Sequence, residues 1–504
     1  MIFPSKEKTA SGLNGGSSAR VVEWIVAGTI TVLTAYLSFR LRGAGLSTDE
    51  ATSFFIAHLD AGRMWTSFAT SEANSSLFYV TLSAWKAFGE SESALRILPA
   101  LFAVATIPLL FAYVQRGFGL WIAAIASILV GTNPFFIAYA HTLRGYSLSA
   151  LLAVVSTLLL DRAVSEPRAR RWGVYSLVGG LSLYAHFFCA FVILAHILSF
   201  GFLGRKLVPW RQLFASYVGM AFLASPLANF IFFNDVGQVD WIPRPSPRRM
   251  STVLHDLVGF GDDVVLWIYA ALVVLGFVGL GYELYRAGRT HESWRMALLG
   301  MWLILPIVLS YWLSYVKPLF LSRYLLVAVP ALAACAAIGL RTLRFRGLWV
   351  AGAAILVFLG SQSLRKGYHE LPNGVWRARA ERIVNNTQPG DGAVYYSPTV
   401  IRPYGYYGGY YSSEISGTER LPTPIYPNLH WLGYSATRFE PDFPRLARMV
   451  AARERIWLLT GHFGSPPRRR ELRRMRSMLE RVCEPSQKTF SGAAITLFVD
   501  CGRH

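Results

Sequence analysis

The sequence predicts a polytopic α-helical membrane protein with a small α/β domain at its C-terminal end. The chain of 504 residues is 53% hydrophobic and has a positive mean hydropathy of +0.37. Only 15% of its residues are charged, whereas soluble domains hold about a quarter. Apolar runs long enough to cross a bilayer recur up to about residue 364, and none follows.

The charge pattern indicates a membrane rather than a nucleic acid as the partner. The formal net charge is +20, and most basic residues before position 365 fall in short clusters between apolar runs. Such clusters are typical of loops held at an anionic cytoplasmic leaflet. No nucleic-acid recognition motif accompanies the charge.

Eleven transmembrane helices are predicted. A Ser/Gly-rich cytoplasmic tail, residues 1–20, precedes the first. The predicted spans are 21–39, 93–115, 120–139, 146–163, 172–185, 187–204, 211–233, 264–285, 295–314, 322–341 and 347–364. With the N-terminus inside, the basic clusters at Arg116, Arg162–Arg171, Arg205–Arg211, Arg286–Arg295 and Arg341–Arg346 all lie in the cytoplasm.

The segment Leu77–Phe88 determines this topology. It has only about a dozen apolar residues, interrupted by Lys86. Counting it as a span would move the basic loops to the outer side. We therefore predict an interfacial amphipathic helix within a first outer loop, residues 41–92, of a transmembrane domain that spans residues 21–365.

Residues 366–504 predict a soluble α/β domain outside the cytoplasm. Strand-like segments occur at 393–396, 456–460 and 494–499, and helical patterns at 376–386 and 468–482. The tyrosines of Tyr404–Tyr411 are interpreted as packing residues, with sugar stacking as the alternative. Cys189 and Cys335 are expected to be buried. A disulfide between Cys483 and Cys501 is plausible outside the cytoplasm, but the sequence does not establish it.

The polar residues that are candidates for catalysis or substrate binding all fall on the outer side in this topology. Asp49 and Glu50 follow the first span, and carboxylates at a membrane boundary are candidates for chemistry. The other candidates are Glu72, Arg96, Arg144, Tyr146, His186, Lys317, Arg323 and Tyr324.

A carboxylate base beside fixed cations suits group transfer from a phosphate-linked donor. The base removes a proton from an acceptor hydroxyl, and arginine or lysine stabilises the departing phosphate. The alternatives are that the cations bind lipid headgroups, that His186 is structural, and that Glu50 only orients Asp49 or starts a helix. No metal-ligand cluster is evident, although the carboxylate pair could hold a divalent cation or act alone.

Several motifs resemble those of one enzyme family. They are Asp49-Glu50, the aromatic segment Ser76–Gly89, Glu92–Arg96, Arg144-x-Tyr146, Pro318–Tyr324, Trp376-Arg377 and Pro389–Asp391. In this order they resemble the GT-C glycosyltransferases of the protein-mannosyltransferase and aminoarabinose-transferase type, glycosyltransferase families 39 and 83.

The resemblance implies an inverting sugar transfer from a polyprenyl-phosphate donor on the periplasmic or lumenal side. Asp49 matches the catalytic aspartate of the family, and Arg96, Arg144, Lys317 and Arg323 match basic positions near the donor phosphate. Asn74-Ser75-Ser76 stands where relatives carry His-Pro-Pro or Pro-Pro, which argues against protein mannosylation. His141-Thr142 replaces an acidic residue, which leaves open whether Glu50 or Glu72 assists Asp49.

The resulting hypothesis is a glycosyltransferase of the bacterial inner membrane with its active site on the periplasmic side. Its acceptor would be a hydroxyl of lipid A, of another envelope glycan or of a protein. The loop 234–263 would help to frame the acceptor cleft. A lipid or solute transporter and a non-catalytic glycan-binding scaffold are the alternatives. The span centres hold few charges and no internal repeat is visible, which disfavours the transporter.

Overall fold

A computed structural model describes residues 15–40, 45–233, 242–343, 345–370, 375–396, 398–407, 422–426, 443–460, 466–486 and 495–502. The first ten α-helices are α1 (Gly15–Arg40), α2 (Thr48–Ala57), α3 (Ala61–Ser67), α4 (Ser76–Trp85), α5 (Glu92–Phe118), α6 (Leu120–Gly131), α7 (Pro134–Ala140), α8 (Tyr146–Ser165), α9 (Ala169–Ala185) and α10 (Cys189–Ser199). The next six are α11 (Trp210–Phe233), α12 (Pro247–Leu257), α13 (Asp263–Ala287), α14 (His291–Leu313), α15 (Val329–Leu340) and α16 (Arg346–Glu370).

A helix occupies each segment that was predicted to span the membrane, and the protein is an integral membrane protein. Within the described part of the chain, six helices are long and apolar enough to cross a bilayer, or seven if a bent pair counts as one. The number of eleven spans therefore stays a prediction. The first helix begins at Gly15, six residues before the predicted start, because the Ser/Gly-rich residues 15–20 join it.

The third predicted span is broken near its C-terminal end. Helices α6 and α7 meet at an angle of 60°. The break has a local cause, because Asn133 caps α7 by accepting a hydrogen bond from the Phe136 N–H at 2.9 Å. Pro134 then starts the new helix, where a missing N–H is harmless.

The aromatic segment 77–88 forms a helix, as predicted. Helix α4 and a 3₁₀ turn, Lys86–Phe88, cover it. Ten residues of α-helix reach only about 15 Å, too short to span a bilayer. Its buried side chains Phe78, Tyr79 and Leu82 pack in a core shared with α2 and with the C-terminal domain.

The C-terminal domain is a five-stranded sheet with helices, and it contains every predicted strand and helix. Its helices are α17 (Val375–Val384), α18 (Pro398–Tyr407), α19 (Phe443–Ala451) and α20 (Pro466–Val482). Its strands are β1 (Gly392–Tyr396), β2 (Thr423–Tyr426), β3 (Ile456–Thr460), β4 (Glu484–Pro485) and β5 (Ile495–Val499). The strand order in the sheet is β2-β1-β3-β5-β4. Strand β1 is parallel to both β2 and β3, and β5 is antiparallel to both β3 and β4.

The four cysteines and the tyrosines of α18 are buried. A disulfide joins Cys483 and Cys501, and Cys189 and Cys335 are buried. The tyrosines at positions 404, 406 and 407 are buried on α18, which confirms their packing role; positions 408–411 lie outside the described residues.

The C-terminal domain docks on the first outer loop through α17 and α18. Arg402 donates from Nη1 to the Thr52 hydroxyl on α2 at 2.9 Å. The Tyr406 hydroxyl donates to the carbonyl oxygen of Glu90 at 3.0 Å, and Arg377 pairs with Glu92 at 2.7 Å. These contacts hold the loop that carries Asp49 between the domain and the transmembrane helices.

Candidate active site

Asp49 lies at the start of α2 and pairs with an arginine from a distant part of the chain. Ser47 caps α2 by accepting a hydrogen bond from the Glu50 N–H, so that Asp49 falls in the first turn. Its Oδ2 atom is 3.1 Å from Nη2 of Arg323, and its side chain is 45% exposed. Arg323 is in the 3₁₀ turn Ser322–Ala328 before α15. The structure thus brings a solvent-accessible carboxylate next to a cation from a much later part of the chain.

The neighbouring carboxylate, Glu50, faces a different partner. It is only 5% exposed, and Arg96 at the start of α5 donates to it from Nε and Nη2 at 3.2 to 3.3 Å. The Ser47 N–H and the Leu143 N–H donate to the same carboxylate at 2.9 and 3.1 Å. Arg96 also donates to the Gly45 carbonyl oxygen.

The buried Glu50–Arg96 pair bears on two of the predicted roles, which stay predictions. Both oxygens of Glu50 are engaged by groups that fix the first outer loop to α5 and to the loop after α7. The Asp49-Glu50 pair is therefore split between two arginines and does not form one joint carboxylate site. This geometry favours a positioning role for Glu50 and Arg96 over the catalytic and phosphate-binding roles expected for them.

Arg144 is held by a relay of polar groups from the first outer loop. It donates from Nη1 to the Tyr79 hydroxyl at 2.7 Å, and that hydroxyl donates to Oε2 of Glu72 at 2.9 Å. Glu72 ends the π-helical turn Phe68–Glu72. The Nε of Arg144 is buried and has no hydrogen-bond partner among the described residues. A buried N–H of this kind is costly unless a ligand atom accepts from it.

Aromatic rings line the space beside these arginines. The rings of Tyr324 and His186 have their centroids 5.0 Å apart, and Tyr146 lies 5.9 Å from His186 and 6.2 Å from Tyr324. The Tyr146 hydroxyl is buried without a partner among the described residues. Rings with a polar tip of this type suit a sugar, which needs both stacking and hydrogen bonds.

His186 is a neutral hydrogen-bonding residue rather than a cation. It follows α9, is only 1% exposed, and accepts a hydrogen bond at Nδ1 from the Phe188 N–H at 3.2 Å. Burial, together with the guanidinium groups of Arg144 and Arg323, lowers the pKa of His186 to about 3. Its Nε2 atom therefore carries the ring hydrogen at neutral pH.

Asn74 places a second donor beside this imidazole. Oδ1 of Asn74 accepts from the Phe187 N–H at 2.8 Å, which identifies Nδ2 as the amide nitrogen that lies 3.5 Å from Nε2 of His186. Because both nitrogens are donors, they do not satisfy each other.

The remaining predicted positions are distributed around this centre. Lys317 is half-buried in the loop that leads to Arg323, and its role at the phosphate stays a prediction. In the loop 234–263, residues 247–257 form α12, while 234–241 lie outside the described residues. In the described ranges, no three His, Cys, Asp or Glu side chains cluster in a way that could hold a metal ion.

Comparison with known proteins identifies the fold. The family model of dolichyl-phosphate-mannose-protein mannosyltransferases matches residues 77–231. No curated protein sequence matches the chain. The crystal structure of ArnT from Cupriavidus metallidurans bound to undecaprenyl phosphate superposes with a TM-score of 0.63 at 12% identity, and covers 95% of this chain and 98% of that one. The chain has a GT-C fold.

The same enzyme in its apo state superposes with a TM-score of 0.58 at 14% identity, over 97% of this chain and 99% of the other. The similarity to GT-C glycosyltransferases that the motifs indicate is thus confirmed, as is the combination of apolar helices with a small C-terminal sheet. The family match and the shared fold support a glycosyltransferase.

Tyr79 is a polar residue that sequence reasoning left out of the site. It links Glu72 to Arg144. The helical pattern of Leu77–Phe88 places Tyr79 on the same apolar face as Leu82, three positions later, which hides its polar role. The sequence marks Asn74 as a polar residue of the first outer loop and as a departure from the family motif, but its contact with His186 depends on the turn after α9.

Proposed function

We propose that this protein is an inverting glycosyltransferase that moves a sugar from a polyprenyl-phosphate donor to a hydroxyl of an envelope acceptor. The observation that carries the proposal is the Asp49–Arg323 pair, 3.1 Å apart, beside Arg144 and a group of aromatic rings. The similarity of the fold to an ArnT structure that contains undecaprenyl phosphate supports a lipid-linked donor.

Each step of the transfer has a residue to perform it. Asp49 removes the proton from the acceptor hydroxyl as its oxygen attacks the anomeric carbon. The bond between that carbon and the phosphate oxygen breaks, and polyprenyl phosphate leaves with the electron pair. Arg144 and Arg323 stabilise the charge on the phosphate, because a guanidinium donates two hydrogen bonds in a fixed geometry. Attack from the face opposite the phosphate inverts the configuration.

Further hydrogen-bond donors complete the substrate site. Nε2 of His186 and Nδ2 of Asn74 could both donate to one oxygen of the sugar or phosphate. The Tyr146 hydroxyl and the Nε of Arg144 offer two further contacts. We place this site on the periplasmic face of a bacterial inner membrane, with lipid A, another envelope glycan or a protein as the acceptor.

The decisive experiment compares Asp49→Asn with Asp60→Asn. Asp60 lies in the same outer loop, is exposed, and caps α3, a role that asparagine fills equally well. Cells that lack the protein should lose the mass of one sugar from an envelope component. The wild type and Asp60→Asn should restore that mass, whereas Asp49→Asn should lower the rate by at least about 10²-fold.

The alternative functions give different results in the same cells. A transporter or a glycan-binding scaffold does not need a base, so Asp49→Asn would restore the missing mass. Purified Asp49→Asn protein should still bind undecaprenyl phosphate, since its two arginines remain. Restoration of the mass by a stably inserted Asp49→Asn protein would refute the proposed mechanism.

A further inference from the structure

A cleft lined by arginines opens on the face of the protein opposite to Asp49. Helix α5 carries Arg96 near one end and Arg116 near the other, 20 residues or roughly 30 Å apart, which is the thickness of a bilayer core. Helix α8 runs in the same way from Tyr146 to Asp161. The cleft at Arg116 and at the end of α8 therefore lies at the other membrane surface.

The cleft combines a large volume with a strong positive charge. It encloses about 610 Å³, and its lining includes five arginines but a single acidic residue, Glu166. The arginines are Arg116, Arg162, Arg168, Arg170 and Arg171. Leu159 and Val174 add an apolar wall. A polar rim beside an apolar wall matches an amphiphilic ligand better than a free ion.

Two of the arginines are fixed in place by the protein. Asp161 is completely buried and accepts from the Nε of both Arg116 and Arg295, at 3.0 and 2.6 Å. The buried carboxylate of Asp161 thus fixes the guanidinium groups of both arginines. Arg171 donates to the carbonyl oxygen of Arg162 at 3.2 Å and pairs with Glu166 at 2.8 Å.

The start of α9 adds to the positive potential of the cleft. Arg168 occupies the N-cap position without making a capping hydrogen bond, and Arg170 and Arg171 follow in the first turn, which has no acidic residue. The N-terminus of a helix is itself positive, so basic residues are unfavourable there. A bound anion would offset this repulsion.

We propose that this cleft binds the headgroup of an anionic phospholipid from the leaflet opposite to the catalytic site. The arginines contact the phosphodiester, and Leu159 and Val174 contact the glycerol and the upper acyl chains. Basic loops are common on the cytoplasmic face of membrane proteins. Such a general preference does not explain why five arginines border one cavity and why a buried carboxylate fixes one of them.

The test uses the purified full-length protein and dioleoylphosphatidylglycerol, with binding measured by native mass spectrometry. The variant is Arg168→Gln/Arg170→Gln, because both side chains are exposed and the ion pair of Arg168 with Glu166, 3.7 Å, lies at the surface. The control is Arg205→Gln/Arg211→Gln, which removes the same charge from exposed positions in the next basic loop on the same face. At about 1 kcal/mol for each arginine, the variant should bind the lipid roughly 30-fold more weakly.

The control variant should retain nearly wild-type binding, and dioleoylphosphatidylcholine should bind the wild type far more weakly. Equal weakening in both double variants would show a general charge effect and overturn the proposal. Equal binding of the two lipids would overturn it as well. Displacement of the lipid by an equal concentration of inorganic phosphate would identify a site for small anions and refute the lipid assignment.

Discussion

Replacing Glu50 with glutamine tests whether this residue positions the site or takes part in the reaction. The change leaves the guanidinium of Arg96 buried beside a neutral amide, with both residues less than 10% exposed. Removal of one partner from a buried ion pair costs about 3–5 kcal/mol. The amide keeps one acceptor oxygen for the N–H groups of Ser47 and Leu143, so we expect a value near the lower limit, about 3 kcal/mol.

Thermal unfolding of the detergent-purified protein, followed by tryptophan fluorescence, measures the effect. Glu50→Gln should lower the midpoint by about 3 °C. Glu480→Gln removes a carboxylate from an exposed pair with Arg476 and should change stability by less than about 1 kcal/mol. Glu50→Gln/Arg96→Met should recover part of the loss, because it removes the unpaired buried charge.

Activity below the unfolding temperature separates the two roles. A positioning Glu50 predicts that the variant keeps substantial transfer activity at low temperature and loses it as the loop unfolds. A catalytic Glu50 predicts a loss as large as that of Asp49→Asn at every temperature, with an unchanged midpoint. That second pattern would refute the assignment of Glu50 to positioning.

Three further predictions concern single side chains of the candidate active site: Tyr146, Tyr79 and His186. Tyr146→Phe removes a buried hydroxyl that has no partner among the described residues, so stability should rise by up to about 1 kcal/mol while donor binding weakens; unchanged binding would exclude the hydroxyl from the substrate site. Tyr79→Phe breaks the link between Glu72 and Arg144 and should lower kcat/KM about tenfold, with a smaller change in the unfolding midpoint; unchanged kinetics would show that Arg144 does not need the link. The depressed pKa of His186 stabilises the fold above pH 6.5, and this contribution is lost as the pH falls towards 3, because the unfolded chain then binds the proton. From pH 7 to pH 5 the loss should reach about 2 kcal/mol in the wild type and be absent in His186→Gln; identical pH profiles would contradict a buried neutral imidazole.

The sequence alone predicted most of the helices, three of the strands and the segments that carry the candidate site. Hydrophobic runs predicted the transmembrane helices because a bilayer requires long apolar segments, and short strand-like segments predicted β1, β3 and β5. The position of Asp49 just after an apolar run, with arginines in other loops on the same side, was enough to propose their meeting. These features are local, or follow from counting membrane crossings.

Only the tertiary structure decided which polar groups bond to each other. Asp49 and Glu50 are adjacent in sequence, yet their partners, Arg323 and Arg96, lie in different helical segments. Successive residues of a helix point in directions about 100° apart, so neighbours in the chain serve different surroundings. Burial encloses Glu50 in an ion pair with Arg96 and leaves Asp49 accessible. This difference depends on packing between elements far apart in the chain.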